Sequence, residues 1–275
     1  MFEEQDQSVL RFEQVSVWFD EVKALEDVSF EMFSGETRIV FGAAGSGKTT
    51  LLKTALGLLK PDAGRVYVFG QDSTGLGEEE LFEIRSQIGV LFQEGGLFDS
   101  LTIEENVGYP LANQPALRCP PEEMRRRVEE ALRFVELEHT LEKYPSELSG
   151  GMRRRVGIAR AVVTEPRLVL YDSPTAGLDP ITASTIIALV VKERDLKNTT
   201  TLMVTHRYQN GVLLAKYRYN ARTGRLERAA SNGGEPEIRT RFMVLREGRL
   251  VFEGSQAELE ASRDPYISKF VKREA

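Results

Sequence analysis

The most informative chemistry in this chain lies in one eight-residue run, Gly42-Ala43-Ala44-Gly45-Ser46-Gly47-Lys48-Thr49. Its pattern, G-x-x-x-x-G-K-[ST], suits a loop that wraps phosphates. Glycines let successive backbone N–H groups turn inward and approach phosphate oxygens, because no Cβ opposes the required backbone. An apolar segment at 38–41 precedes the run, and a helical pattern follows from Thr50. The start of that helix adds its positive end to the same phosphates. Lys48 supplies a point charge at the β- and γ-phosphates, and Thr49 offers a hydroxyl to Mg²⁺. Gly42, Gly45, Ser46, Gly47, Lys48, Thr49 and Thr50 form the phosphate-binding part of the predicted cofactor site, with Mg²⁺ beside the phosphates.

A second carboxylate-bearing element follows downstream. Leu168-Val169-Leu170-Tyr171-Asp172 reads as an apolar strand ending in a metal-binding aspartate. Shortly before it stands Leu148-Ser149-Gly150-Gly151-Met152. Ser149 can cap the helix that follows, and Gly150 and Gly151 leave N–H groups open to an anion.

These groups need a scaffold. Short apolar runs rich in β-branched residues predict strands at 9–15, 28–32, 38–41, 65–69, 88–92, 168–171 and 201–205. Helical patterns occupy 48–59, 121–136, 149–163 and 180–192, with Pro121 and Pro180 suited to first turns. Strands alternating with helices predict an α/β fold. The stretch from about 93 to 163 reads as a helical subdomain inserted between two strands. Segments 215–228 and 241–253 each read as strand, glycine-containing turn, strand, with a loop signal at 230–236 between them.

Composition narrows the function classes. The 275 residues are 41% hydrophobic, enough for a substantial core. A net charge of −6 disfavours nucleic acid as a partner. The single cysteine, Cys119, forms no internal disulfide, as in a reducing compartment. The acidic start, Met1 to Gln7, predicts no signal peptide, and no run approaches a membrane span.

With the Ser149 motif lying between the phosphate loop and the Asp172 strand, the chain resembles the ABC ATPase family over nearly its whole length. The resemblance implies an α/β P-loop NTPase core with an N-terminal antiparallel β-subdomain and an inserted helical subdomain. It implies that Phe19 stacks on adenine, with Trp18 as a substitute. Gln93 resembles the glutamine that touches Mg²⁺ and the attacking water. Asp179, in Ala176-Gly177-Leu178-Asp179, matches a loop that contacts the opposite protomer, and His206 resembles the histidine near the γ-phosphate. In this family Ser149 of one copy faces the ATP of the other, so a homodimer makes two complete sites. An integral-membrane permease is the implied partner, with the chain peripheral on the cytoplasmic side of the membrane.

Two strings point to one branch. The run 93–98 with Asn106-Val107-Gly108-Tyr109-Pro110-Leu111, and the ending 264–270, resemble ATPases of the Mla/Mce-type bacterial lipid-trafficking systems. That resemblance implies an Mce-type lipid-binding protein as a further partner. An amino-acid or lipoprotein system is the alternative branch.

Two departures stand out. Where the family carries a catalytic glutamate, the residue after Asp172 is Ser173. A serine hydroxyl is no general base near neutral pH without its own activator. A weakly hydrolysing ATP-binding switch is therefore a second reading. The other departure is a basic insert at about 216–240, with Lys216, Arg218, Arg222, Arg225, Arg228 and Arg239 against three glutamates. It reads either as a solvated hairpin or as a contact for permease, regulator or anionic lipid heads.

Overall fold

The computed structural model describes residues 7–229 and 239–271. The loop expected at 230–236 lies outside the described residues. Strands β1 (Ser8–Phe19) and β2 (Val22–Phe33) form a long antiparallel hairpin. The next strand in the chain, β3 (Thr37–Gly42), leaves for a second sheet. Strands β4 (Ala63–Val68) and β5 (Gln71–Asp72) complete a four-stranded sheet in the order β2-β1-β4-β5.

The second sheet adds β6 (Ile88–Leu91), β7 (Leu168–Asp172) and β8 (Thr200–Val204). A separate two-stranded hairpin, β9 (Tyr217–Asn220) and β10 (Arg225–Arg228), comes next in the chain. Strands β11 (Thr240–Arg246) and β12 (Arg249–Gly254) then return to the six-stranded sheet, whose order is β12-β11-β3-β8-β7-β6. Its neighbours pair in parallel except β12, which turns back on β11.

Period-two alternation divides the strand residues between two cores. Ile39, Phe41, Val169, Tyr171, Met203, Phe242 and Val244 join one cluster. Val40, Leu168, Leu170, Leu202, Val204, Met243 and Leu245 join the other. Both faces are covered, which is why these strands read as unbroken apolar runs. Helix α1 (Lys48–Ala55) and the four-stranded sheet cover one face. After α2 (Glu78–Arg85), helices α3 (Ile103–Asn113), α4 (Pro121–Phe134), α5 (Gly150–Val162) and α6 (Pro180–Lys197) supply the other cluster. Helices α7 (Tyr208–Lys216), α8 (Gln256–Ala261) and α9 (Pro265–Val271) follow β8 and β12.

Two helix ends depart widely from the sequence expectation, while the others fall within about two residues of it. Helix α1 stops at Ala55, not at 59, because Gly57 takes a left-handed φ of 66° and Leu58 N donates to Lys53 O at 2.9 Å. That closure caps the orphan carbonyls of the last turn. Helix α6 runs five residues past 192, to Lys197. The charged residues Glu193 and Arg194 in this extension are buried. Arg194 donates to Leu214 O and Tyr217 O, and Asp195 accepts from Tyr219 N at 2.6 Å, which fastens the β9–β10 hairpin to the core.

Glu193 is 4% exposed, and burial pushes its carboxyl up to about 7 against a 3.3 Å hydrogen bond from Thr199 Oγ1. The protonated acid is therefore the form that folds most readily. Because the folded pKa is raised, this stability is fully present below the ordinary carboxylate range and is lost as pH rises through about 7. We predict that Glu193→Gln flattens that decline and stabilises the protein above neutrality by on the order of 1–3 kcal/mol. Thermal melts of both proteins from about pH 5 to about pH 8 check this. An unchanged slope would remove Glu193 as its source.

Candidate functional site

The chain deposits its polar motifs at one edge of the six-stranded sheet. Gly42 ends β3, Asp172 ends β7, His206 lies just beyond β8, and Gln93 lies just beyond β6. This is the carboxyl edge, where α/β sheets take ligands.

The phosphate loop is built by its neighbours. A Cβ at Gly42 would meet Ser46 Oγ at 2.2 Å, and one at Gly47 would meet Ala24 O at 2.3 Å. Gly47 also has φ 99°, so both space and backbone require glycine there. The contact with Ala24 ties β2 to the loop. In the same hairpin, Trp18 pairs with Lys23 and Phe19 with Val22. Phe19 is 46% exposed and so presents an aromatic face to solvent, not to the core.

Lys48 opens α1 and is half-buried. Its Nζ donates to Gly42 O at 2.9 Å and Ala43 O at 2.7 Å, curling across the loop. Burial lowers its pKa, opposed by the charge of Asp172. Thr49 Oγ1 donates to Asp172 Oδ2 at 3.0 Å, and Asp172 is 5% exposed. Hydroxyl and carboxylate therefore converge beside the lysine. Among the described residues no group of three or more His, Cys, Asp or Glu could hold a metal. One carboxylate and one hydroxyl fit Mg²⁺, which takes few protein ligands and completes its shell with phosphate oxygens and water. Thr50 is half-buried on the first turn of α1, and Ser46 is buried.

Gln93 is exposed and begins a short 3-10 turn, Gln93–Gly95. That turn is tied to α5: Arg160 donates to Gly95 O at 3.0 Å, and a Cβ on Gly95 would meet Arg153 O at 2.9 Å. His206 is exposed beyond β8. Ser173 has φ 48°, uncommon for a residue other than glycine, and its N–H donates to Val204 O at 3.0 Å. Backbone strain of this kind concentrates at functional sites.

Ser149 caps α5, its Oγ accepting from Met152 N at 3.2 Å. Gly151 lies against α6, where an added Cβ would meet Thr182 Cγ2 at 2.5 Å. Asp179 caps α6 by accepting from Ile181 N and Thr182 N, each at 3.0 Å. The Thr182 side chain first, and then these backbone bonds, hold its carboxyl below the usual range. The chain thus builds two clusters, Lys48–Thr49–Asp172 and Ser149–Gly151–Asp179.

Several supporting residues carry no signal in the sequence. Arg154 of α5 is buried and donates to Pro174 O at 2.7 Å and Ala176 O at 2.9 Å, which links the Ser149 helix to the loop after Asp172. Arg207 donates to Leu178 O at 2.9 Å. Asn210 is buried and donates to Thr175 Oγ1 at 2.7 Å. Asn106, in one of the branch-specific strings, is buried and bonds the backbone of Phe98, Leu101 and Thr102.

Comparison with known proteins matches residues 25–176 to the family model described as ABC transporter. A methionine import ATP-binding protein of Carboxydothermus hydrogenoformans is 40% identical over 185 residues, covering 67% of this chain and 54% of that protein. A probable ribonucleotide transport ATP-binding protein of Mycobacterium leprae is 38% identical over 188 residues, covering 68% and 54%. The chain thus spans about half the length of the curated relatives it matches. Among solved structures, the dimeric post-hydrolysis ATP-binding cassette MJ0796 bound to ADP and Pi superimposes with a TM-score of 0.73. It is 31% identical, with 90% of this chain and 98% of that chain covered. A cbiO1 from Clostridium perfringens, part of the ABC transporter complex cbiONQ, gives 0.73 at 26% identity, covering 97% and 96%.

Proposed function

We propose that this chain, which belongs to the ABC transporter family, binds MgATP and closes as a two-fold dimer to drive a membrane permease. The observation that carries the reading is the meeting of Lys48, Thr49 and Asp172 at the carboxyl edge of the sheet, with a hydrogen bond between the last two. In the working state Lys48 exchanges the Gly42 and Ala43 carbonyls for the β- and γ-phosphates. Thr49 and Asp172 would hold Mg²⁺, which would supply charge neutralisation for the phosphates. Phe19, or Trp18 beside it, stacks on adenine. Gln93 orients the attacking water, His206 meets the γ-phosphate, and Ser149 to Gly151 cover the nucleotide of the opposite copy. The two clusters described above fit that division, because the second cluster serves a partner's nucleotide. No helix among the described residues is long and apolar enough to cross a membrane. The reading has the chain meet the membrane through its permease, on the cytoplasmic side.

For the transported class we propose phospholipid or another lipid, handed on by an Mce-type protein. Support comes from the strings 93–98, 106–111 and 264–270. The relatives' names point to methionine and to ribonucleotides, so an amino-acid system is the second reading. Mass spectrometry of lipids co-purifying with the assembled complex separates the two. Enriched phospholipid supports the first, and bound amino acid without lipid supports the second.

The permease contact is proposed at the cleft beside Gln93. Phe92, Phe98, Tyr109, Pro110 and Arg160 line about 410 Å³ there, with the Phe98 and Tyr109 rings 4.6 Å apart. A short amphipathic helix fits such a groove. Replacing Phe98, which lines the cleft, together with its half-buried neighbour Leu97 by aspartate should detach the chain from its permease, because charge then enters an apolar contact. MgATP affinity should persist. Pull-down of the complex alongside nucleotide titration reads both, and an intact complex at normal affinity would remove this cleft as the contact.

A further inference from the structure

We propose that the Tyr266 hydroxyl, on the C-terminal helix α9, is a positioning group for Lys48 and the phosphate loop. This inference rests on the nucleotide-binding reading above. Residues 43 and 266 lie 223 positions apart, yet Ala43 N donates to Tyr266 Oη at 3.1 Å. The same hydroxyl donates to Leu245 O at 3.0 Å. Leu245 is the register partner of Gly42, so the phenol bridges the ends of the adjacent parallel strands β11 and β3 where the loop begins.

One peptide unit links this hydroxyl to the lysine. The Gly42–Ala43 peptide offers its N–H to Tyr266, while its carbonyl, Gly42 O, accepts from Lys48 Nζ at 2.9 Å. Phenol and ammonium therefore hold opposite edges of a single planar group. The tilt of that plane helps to set where Lys48 rests, together with the bonds from Nζ to Ala43 O at 2.7 Å and Ser46 Oγ at 3.3 Å, and Tyr266 holds the tilt.

The phenol is itself well held. Tyr266 N donates to Asp264 Oδ1 at 2.7 Å. The ring meets Phe270 edge-on at 5.3 Å, and Phe270 stacks on Phe41 of β3 at 6.1 Å. The Arg246 guanidinium lies 5.3 Å from the ring centre on another side. A tyrosine pinned this closely can act as a fixed post.

Ala43 is exposed, so water can satisfy its N–H when the hydroxyl is removed. The cost then falls on the orientation of the loop more than on folding. Tyr266→Phe removes both bonds of the hydroxyl, and the less pre-organised loop should bind MgATP about five- to tenfold more weakly. KM for ATP should rise by the same factor, with kcat within about twofold and the ligand-free melting temperature within a few degrees. Phe270→Leu, which loosens the same helix and keeps the hydroxyl, should lower the melting temperature and spare the affinity.

The experiment is an MgATP titration with steady-state kinetics on the wild-type, Tyr266→Phe and Phe270→Leu proteins, each with its melting temperature. Failure of the wild type to bind MgATP would overturn the nucleotide reading and this inference together. Wild-type binding with an unaltered Tyr266→Phe would overturn this inference alone. Equal losses of affinity and stability in both variants would also overturn it, because packing would then account for the effect.

Discussion

Replacing Ser173 with glutamate should raise ATP turnover of the assembled complex by about 10²–10⁴-fold, the usual contribution of a general base. The position is ready to present one. Ser173 directly follows the metal-site aspartate, its backbone is pinned to β8 through Val204 O, and the residue after it is held by Arg154. A longer acid placed there needs no new backbone conformation, because glutamate and serine face the same left-handed strain. On the reading proposed above, the wild type keeps Lys48, Mg²⁺ and His206 to stabilise charge on the transferring phosphoryl group, so its turnover should be slow but measurable. Asp179 offers poor rescue: its carboxylate already caps α6 and is held in the charged, weakly basic form.

On that account closed dimers should persist while ATP lasts. ATPase rates of wild type and Ser173→Glu in the assembled complex decide the point. A large rise with glutamate supports the missing-base account. Fast wild-type turnover that glutamate leaves unchanged means another group serves as base. No turnover in either protein, with ATP binding retained, favours an ATP-operated switch.

Much of this site was legible in the sequence because each motif is a short string attached to the end of one strand. Glycine spacing and an adjacent apolar run identify Gly42 to Thr49. An apolar run closed by a carboxylate identifies Asp172. Parallel strands then bring such ends together whatever their order in the chain. The elements that brace them left no comparable mark. Tyr266 meets Ala43 through tertiary packing alone, and no spacing in the sequence encodes a contact across 223 positions. Arg154 sits in a run of three arginines, and only the fold shows that it is buried and holds the loop after Ser173. Helix ends depart from the pattern where local chemistry outweighs it: Gly57 closes α1 early, and buried Glu193 and Arg194 carry α6 past 192. Phe19 illustrates a milder case, since a hairpin-end aromatic could equally have packed inside, and the fold leaves it 46% exposed.

Ser149→Arg should leave nucleotide binding by the separated monomer unchanged and abolish ATP-driven closure, a loss of at least about 10²-fold in dimer affinity. Ser149 caps α5 in the second cluster, with Gly151 against Thr182, while Lys48 and Thr49 open α1 in the first. Loss of the cap costs about 1 kcal/mol, too little to unfold the domain. An arginine in that place adds bulk where the partner's γ-phosphate must approach. The direct measurement is MgATP affinity of the isolated monomer together with ATP-dependent crosslinking between copies, for wild type and Ser149→Arg. Monomer affinity preserved and crosslinking lost is the predicted result. Equal loss of both, or closure that survives the arginine, would contradict a site divided between two copies of the chain.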